Sequence, residues 1–459
     1  MSTRASKDDD DDAHAGLPAR LELALKAAPQ DASMHRAMAQ VKRAQGDELG
    51  ALAHLIAAQT LEAHAAGSAA GSPTELCKVA TGYFMKDDHE SAERWYRLVL
   101  MLDPNVAVAY QNLAAIHSAR GDFAQAESCR HRAYGIQRVF IEPVDAPVRR
   151  LLILCAGRTS GNVPFETLLS SGLSSRIKYV IDFAAEAEDA QLPPFDLVFN
   201  AIGEPDVAAT LAERLDCFAI QCGRPLLNPP AAVGRTQRHR LAALLGGLDD
   251  VMLAPCSRYE GPPASRANLA ERLLRGGLEL PVLARPVATH GGEGLVRCET
   301  LDALESALQN IDGAHYLTMF RDCRSPDGHC RKYRVVFVDR EPFAYHLAIS
   351  SHWMVHYFSA DMVAHPWKID EERRFLEDPR SALGGRAMAA VAAIGRQLDL
   401  DYAGVDFTLL PDGRVLVFEA NATMLVHHER GNGPLAHRNV HVQRIVDAFE
   451  RLQARRAAR

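Results

Sequence analysis

The chain has 459 residues, 47% of them hydrophobic and 24% charged, with a formal net charge of -7. That length exceeds one ordinary core and calls for two or three domains. The mild acidity argues against nucleic acid as the main partner, and no uninterrupted apolar segment approaches membrane-spanning length. The nine cysteines are scattered without a CxxC pair, which fits free thiols in a reducing compartment. The polar, acidic N-terminus lacks a signal-peptide pattern, so a cytoplasmic location is expected.

The acidic run Asp8–Asp12 marks residues 1–16 as an expected disordered leader. Residues 17–140 are rich in Ala, Leu, Glu, Gln and Arg, all good helix formers. A 34-residue interval separates Asp87 from Gly121, Ala80 from Ala114 and Ala92 from Ala126. Gly46-Asp47 followed by Ala51 matches Gly121-Asp122 followed by Ala126. Small residues at helix crossings with a breaker at that period resemble the tetratricopeptide repeat, in about three units with Ala65–Pro73 inserted. The resemblance implies a groove for a peptide, a partner protein or a carrier. The same residues also fit a helical cap or a dimer contact.

From Arg150 the pattern changes to alternating strands and helices, which reads as a parallel sheet covered by helices. Strands are expected at Leu151–Cys155, Tyr179–Phe183 and Leu197–Asn200, with a helical segment around Phe165–Leu173. Ligands in such sheets lie beyond the strand C-termini, so Gly157–Gly161 and Asn200–Glu204 face a plausible substrate site or are ordinary turns. Pro281–Pro286 is a strand carrying Arg285 near its end, and Thr289–Gly294 is a glycine-rich loop. Such a loop exposes backbone N–H groups to phosphate, although it is neither a Walker A motif nor a dinucleotide fingerprint. Lys332–Asp339 is an alternating strand with Lys332 and Arg334 on one face, placed for phosphate or carboxylate or else for solvent.

The segment Gly404–Asn421 reads as two strands joined by a Pro411-Asp-Gly413 turn. Side chains alternate along a strand, so Glu419 and Asn421 share a face, and the hairpin folds Asp406 back beside them. Three oxygen-bearing side chains on otherwise apolar strands suit Mg²⁺, particularly Mg²⁺ held by nucleotide phosphates. A hairpin with its polar face in water is the plainer alternative.

The order of these features resembles the ATP-grasp superfamily over roughly residues 150–450. The features are Asn228-Pro-Pro230 and the helix after it, the Arg285 strand, the Gly291–Gly294 loop, the Lys332/Arg334 strand, and Asp406 with Glu419-Ala-Asn421. The resemblance implies a multidomain chain: an all-α helical-repeat domain at 17–140, an α/β pre-ATP-grasp domain at 148–228, and an α+β ATP-grasp domain at 229–450. It assigns Asp406, Glu419 and Asn421 as Mg²⁺ ligands, and places Arg238, Arg285, Arg334 and the Gly291, Gly292 and Gly294 loop around ATP. The implied reaction transfers phosphate from ATP to a carboxylate, and an amine then attacks the acylphosphate. The family commonly carries lysines where this chain has Arg238 and Arg285, which keep the charge but change the hydrogen-bonding geometry. The expected hinge strand, Leu317-Thr-Met-Phe320, lacks the family's frequent acidic residue.

Histidines concentrate on the substrate side of this arrangement. His352 and His356 are spaced i,i+4 and would share a face of a helix. A zinc site needs a further ligand, so substrate contact or general-base work by one of them competes with plain packing. His427-His428 follows the second metal-binding strand. Lys332, Arg334 and His352 are therefore the candidate catalytic side chains in an ADP-forming carboxylate–amine ligase acting on an amino acid, peptide or natural-product intermediate. A kinase of the same fold, or a nucleotide-binding scaffold whose repeats hold a partner protein, are the competing readings.

Overall fold

A computed structural model describes residues 17–68, 73–157, 161–169, 172–289, 291–311 and 313–458. The expected leader, part of the Ala65–Pro73 insertion, residues 158–160 of the glycine turn and His290 lie outside the described residues. The chain forms two compact units, Met1–Gln137 and Arg138–Arg459.

The first unit contains helices α1 (Leu17–Ala27), α2 (Ala32–Ala44), α3 (Glu48–Ala65), α4 (Thr74–Phe84), α5 (His89–Leu102), α6 (Ala107–Ala119) and α7 (Phe123–Ile136). One device links α2 to α3, α4 to α5 and α6 to α7. The chain turns through a left-handed residue, Gly46, Asp87 or Gly121, at φ between 61° and 79°. The next residue, Asp47, Asp88 or Asp122, then caps the second helix by accepting from the backbone N–H of Gly50, Ser91 or Gln125. The sequence interval is therefore the period of a helical hairpin. Ala53, Ala57, Ala80 and Ala92 are fully buried where helices meet, around the large Trp95 and Tyr96 side chains. Tyr96 has its hydroxyl 2.9 Å from that of Thr81 and accepts from Asn112 at 2.5 Å.

Among the described residues the second unit holds three sheets. The first, in order β1-β3-β2-β4-β5, is built from β1 (Val139–Glu142), β2 (Arg149–Cys155), β3 (Ser174–Val180), β4 (Leu197–Asn200) and β5 (Leu226–Leu227). It is parallel except for β1, which pairs antiparallel with β3. Two local expectations need correction. The second strand is Ser174–Val180, and Ile181–Phe183 is a single 3₁₀ turn. In β3 the buried Ile177 and Tyr179 alternate with Arg176 and Lys178, so the half-buried pattern precedes the apolar stretch. No helix forms among the described residues of 165–173, where Phe165, Leu168 and Leu169 are buried in a turn after Pro164.

After β6 (Val251–Leu253), strands β7 (Cys256–Tyr259), β8 (Val282–Pro286), β9 (Val296–Cys298) and β10 (His315–Met319) form an antiparallel sheet in order β7-β10-β8-β9. The helices Arg266–Arg275 and Leu301–Gln309 bury Leu269, Leu273, Leu304 and Leu308 against it. The third sheet, β12-β11-β13-β14-β6, contains β11 (Cys330–Val338), β12 (Glu341–Ser350), β13 (Tyr402–Leu409) and β14 (Val415–Asn421). The two-residue connection Asp339-Arg340 has both φ angles positive, at 51° and 71°, as a tight hairpin turn requires. The helices Pro366–Glu377, Gly385–Leu398 and Asn439–Ala457 pack on this sheet.

Candidate functional site

A row of polar side chains crosses the third sheet. His346 on β12 pairs with Arg334 on β11, Arg334 with Asp406 on β13, and Asp406 with Glu419 on β14. Two irregularities in register flank the row, one between Arg334 and Val335 and one between Asp406 and Phe407. Such bulges re-aim side chains beside sites. At the first, Tyr345 joins His346 on the wall of the cavity; at the second, Phe418 does so beside Glu419. The cavity, of about 560 Å³, lies between this sheet and the β7–β10 sheet.

The cations and carboxylates are interlocked. Arg334 donates from Nε and Nη2 to both Asp406 oxygens at 2.6 and 2.7 Å, and Lys332 Nζ lies 3.2 Å from Asp406. Burial alone would raise the Asp406 pKa; the adjacent Arg334 and Lys332 charges override it and hold the group ionised. Glu419 forms a short ion pair with Arg238, just after the helix Pro230–Gly234, and this charge holds its carboxyl down to about 2 against burial. Arg285 is different. It is 8% exposed and donates to the backbone oxygen and hydroxyl of Thr289, and no carboxylate ion-pairs with it among the described residues. Burial, reinforced by Arg238, lowers its pKa to about 10. Lys332, Arg334, Arg238 and Arg285 thus outnumber Asp406 and Glu419, which leaves the cavity wall positive.

The glycine loop borders the same cavity. Gly291, Gly292 and Gly294 all have positive φ, between 62° and 85°. A Cβ on Gly291 would approach His356 Nε2 at 3.3 Å, and one on Gly292 would approach Met354 Sδ at 3.3 Å. Gly291 and Gly292 line the cavity, whereas Gly294 packs against Pro286. From the first sheet, Gly161 and Asn162 reach the cavity wall. Gly203, after β4, passes close to Ala422, after β14.

The histidines fall otherwise than helical spacing suggests. No helix forms over 351–356, where the chain bends instead. The helix-face pairing of His352 with His356 is therefore corrected: His356 lines the cavity, while His352 is exposed and outside its lining. The chain rule is simple here, because Ser350 Oγ accepts from the His352 N–H at 3.1 Å and ends the strand in a turn. His427 lines the cavity with Nδ1 3.0 Å from the Tyr345 hydroxyl; His428 does not line it.

Two further residues complete the cavity wall: His346, which the sequence places just past the basic strand on the expected substrate side, and Arg438, which carried no local signal of its own. His346 is 6% exposed, its Nδ1 has no hydrogen-bond partner among the described residues, and burial lowers its pKa, so the ring is neutral. Its alternation with Ala344 and Ala348 on β12 was the available clue. Arg438, at the start of the last helix, lies over the Tyr357 ring at 4.0 Å and is tied to Glu372, which is fully buried.

Among the described residues, no three His, Cys, Asp or Glu side chains cluster as a self-sufficient metal site. Asp406 and Glu419 supply two carboxylates, and Asn421 Oδ1 already accepts from Thr423 N at 2.9 Å. That donor set fits Mg²⁺ shared with phosphate oxygens and does not fit an all-protein cage.

No protein-family model matches the chain, and no curated protein matches it. Among solved structures it is similar to the VanG D-Ala:D-Ser ligase from Enterococcus faecalis, at 13% identity and a TM-score of 0.38 over 66% of this chain and 99% of that one. D-cycloserine synthetase DcsG aligns at 18% identity and a TM-score of 0.38, over 66% and 99% of the two chains. D-alanyl-alanine synthetase A from Vibrio cholerae aligns at 11% identity and a TM-score of 0.43, over 69% and 100%.

Proposed function

We propose that the second unit is an ATP- and Mg²⁺-dependent ligase of the ATP-grasp type, which activates a carboxylate as an acylphosphate for attack by an amine. The observation that carries this reading is the cavity wall on which buried Arg285, without a carboxylate partner, joins Arg238, Arg334 and Lys332 opposite the Asp406/Glu419 pair. A surplus of buried guanidinium groups is compensated when an anion enters, and a triphosphate supplies several negative oxygens. Mg²⁺ held by Asp406, Glu419 and Asn421 would neutralise charge on the transferring phosphoryl group.

The chain's own residues then have distinct tasks. Arg285 and Arg238 bind and orient phosphates, and Arg334 and Lys332 face the same anionic space from β11. Gly291 and Gly292 let backbone approach the phosphates without side-chain bulk. Leu253, Leu283, Met319, Phe320 and Leu416 give the cavity an apolar end suited to a nucleobase. Tyr345, His346, His356 and His427 border the other side, where a carboxylate and an amine would meet. In this reading residues 148–228 and 229–450 are the pre-ATP-grasp and ATP-grasp domains, and the helical hairpins recruit a protein-borne or peptide substrate.

The test is incubation with ATP, Mg²⁺ and pooled carboxylates, amino acids and peptides, with ADP, AMP and new masses quantified. ADP together with a condensation product is expected. A phosphorylated product without condensation would replace ligase by kinase. Without turnover across the pools, tight Mg²⁺–nucleotide binding would mean that the substrate is missing from them, and no such binding would favour the scaffold.

A further inference from the structure

A second recess, of about 480 Å³, lies away from the cavity, between the helices Pro366–Glu377 and Asn439–Ala457. Its wall is lined by His437, Val440, His441 and Arg444, spaced i, i+3, i+4 and i+7 along one side of the last helix and the turn before it. Arg373 and Glu377, at i and i+4, line it from the facing helix. The recess opens to solvent: Arg373, Glu377, Val440 and Arg444 are exposed, and of its lining only His437 and His441 are shielded.

The guanidinium groups face solvent without a hydrogen-bonded carboxylate, and the buried ring nitrogens of His437 lack partners, among the described residues. Arg444 has no ion-pair or hydrogen-bond partner among the described residues. Arg373 reaches only Asp370, at 3.6 Å. Neither ring nitrogen of His437 has a hydrogen-bond partner among the described residues although both are buried; Nε2 lies 3.3 Å from Glu372 without hydrogen-bond alignment. His441 is 8% exposed, and burial lowers its pKa. Glu377 is the one carboxylate lining the recess, against two guanidinium groups.

We propose that this recess binds a phosphoryl oxyanion. Arg373 and Arg444 provide guanidinium forks matched to two phosphate edges, and His437 and His441 supply ring N–H donors. The buried ring N–H of His437, which has no hydrogen-bond partner among the described residues, gains an acceptor. The site stands apart from the nucleotide reading, yet one residue links the two regions. Glu372, beside His437, also accepts from Arg438 Nε at 3.1 Å, and Arg438 lines the main cavity. An anion that draws His437 outward therefore changes what Glu372 has to neutralise.

The test follows the ring signals of His437 and His441 by NMR while the full chain is titrated with inorganic phosphate at constant ionic strength. His437→Gln and His441→Gln assign the signals. A saturable shift of both rings is expected, weakened at least about tenfold in Arg373→Gln/Arg444→Gln. It should be retained in Arg285→Gln, which alters the main cavity. A parallel titration with O-phosphoserine separates the sources: tighter binding of the monoester points to a phosphorylated ligand, and equal or weaker binding to free phosphate. Shifts that do not saturate, or that are equal in the double variant and wild type, overturn the proposal. So does a response lost in Arg285→Gln alone. Arg373 and Arg444 are exposed, so the double variant should fold, as an unchanged melting temperature would verify.

Discussion

Arg334 and Asp406 stand directly opposite each other on adjacent antiparallel strands, and the guanidinium closes a two-point hydrogen bond on a carboxylate that is 2% exposed. Register, not sequence proximity, makes this pair, because 72 residues separate its members. Removing one member of such a pair strands a buried charge. Asp406→Asn should therefore lower unfolding stability by about 3–5 kcal/mol, measured by denaturant unfolding. A loss below about 1 kcal/mol would mean that water already screens the pair.

Glu419→Gln is the cleaner probe of chemistry. Glu419 is 22% exposed on its side chain and, among the described residues, ion-pairs with Arg238 alone, whereas Asp406 is 2% exposed and holds both Arg334 and Lys332, so the loss of the Glu419 carboxylate is less damaging to the fold. Mg²⁺-dependent ADP formation should fall by about 10²-fold or more while the melting temperature changes little. Wild-type turnover in this variant would remove Glu419 from the site.

Arg285 is expected to oppose stability in the nucleotide-free protein. Its guanidinium is buried beside Arg238 and has no direct ion pair among the described residues, so the more distant Glu419 and Glu204 offset its burial only in part. Arg285→Met should raise the stability of the free protein by about 1 kcal/mol and weaken ATP binding by about tenfold or more. Calorimetric titration and thermal melts read the two effects separately. A variant that loses both stability and affinity would show that the contacts to Thr289 dominate.

Gly203 sets the distance between the first sheet and the end of β14. An added Cβ would lie 2.9 Å from the backbone carbon and oxygen of Ala422, neither of which is a flexible side-chain end. Gly203→Ala should cost about 1–3 kcal/mol and raise KM for the carboxylate or amine more than for ATP. An equal rise in both would place the strain at the nucleotide instead.

In the helical unit, His35 Nε2 lies 3.0 Å from the Pro29 carbonyl, so Nε2 carries the proton and Nδ1 accepts from His54 Nδ1 at 2.8 Å. Both rings are neutral and pack against Trp95. Burial lowers the His54 pKa to about 3, from 6.5 in the unfolded chain. Between those values the unfolded state binds the extra proton, so stability rises with pH up to about 6.5 and falls as pH is lowered toward 3. The expected slope is about 1.4 kcal/mol per pH unit for each such proton, and it should flatten in His54→Gln. Melting temperatures of the full chain across that window check it.

What the sequence by itself determined was local. Gly46-Asp47, Asp87-Asp88 and Gly121-Asp122 specify a left-handed turn followed by a capped helix, because only a few residue types tolerate those backbone angles and cap a helix end. Pro411-Asp-Gly413 likewise specifies the β13–β14 turn, where Gly413 has a φ of 83°, and strand alternation put Glu419 and Asn421 on one face. The tertiary structure decided the rest. It set His346 across from Arg334, brought Arg238 to Glu419 over 181 residues and Arg438 to Glu372 over 66, and left His352 in a bend outside the cavity. Local chemistry restricts backbone angles and side-chain faces over a few residues. Which distant charges meet depends on strand register and helix packing, and these are fixed by burial of the whole core.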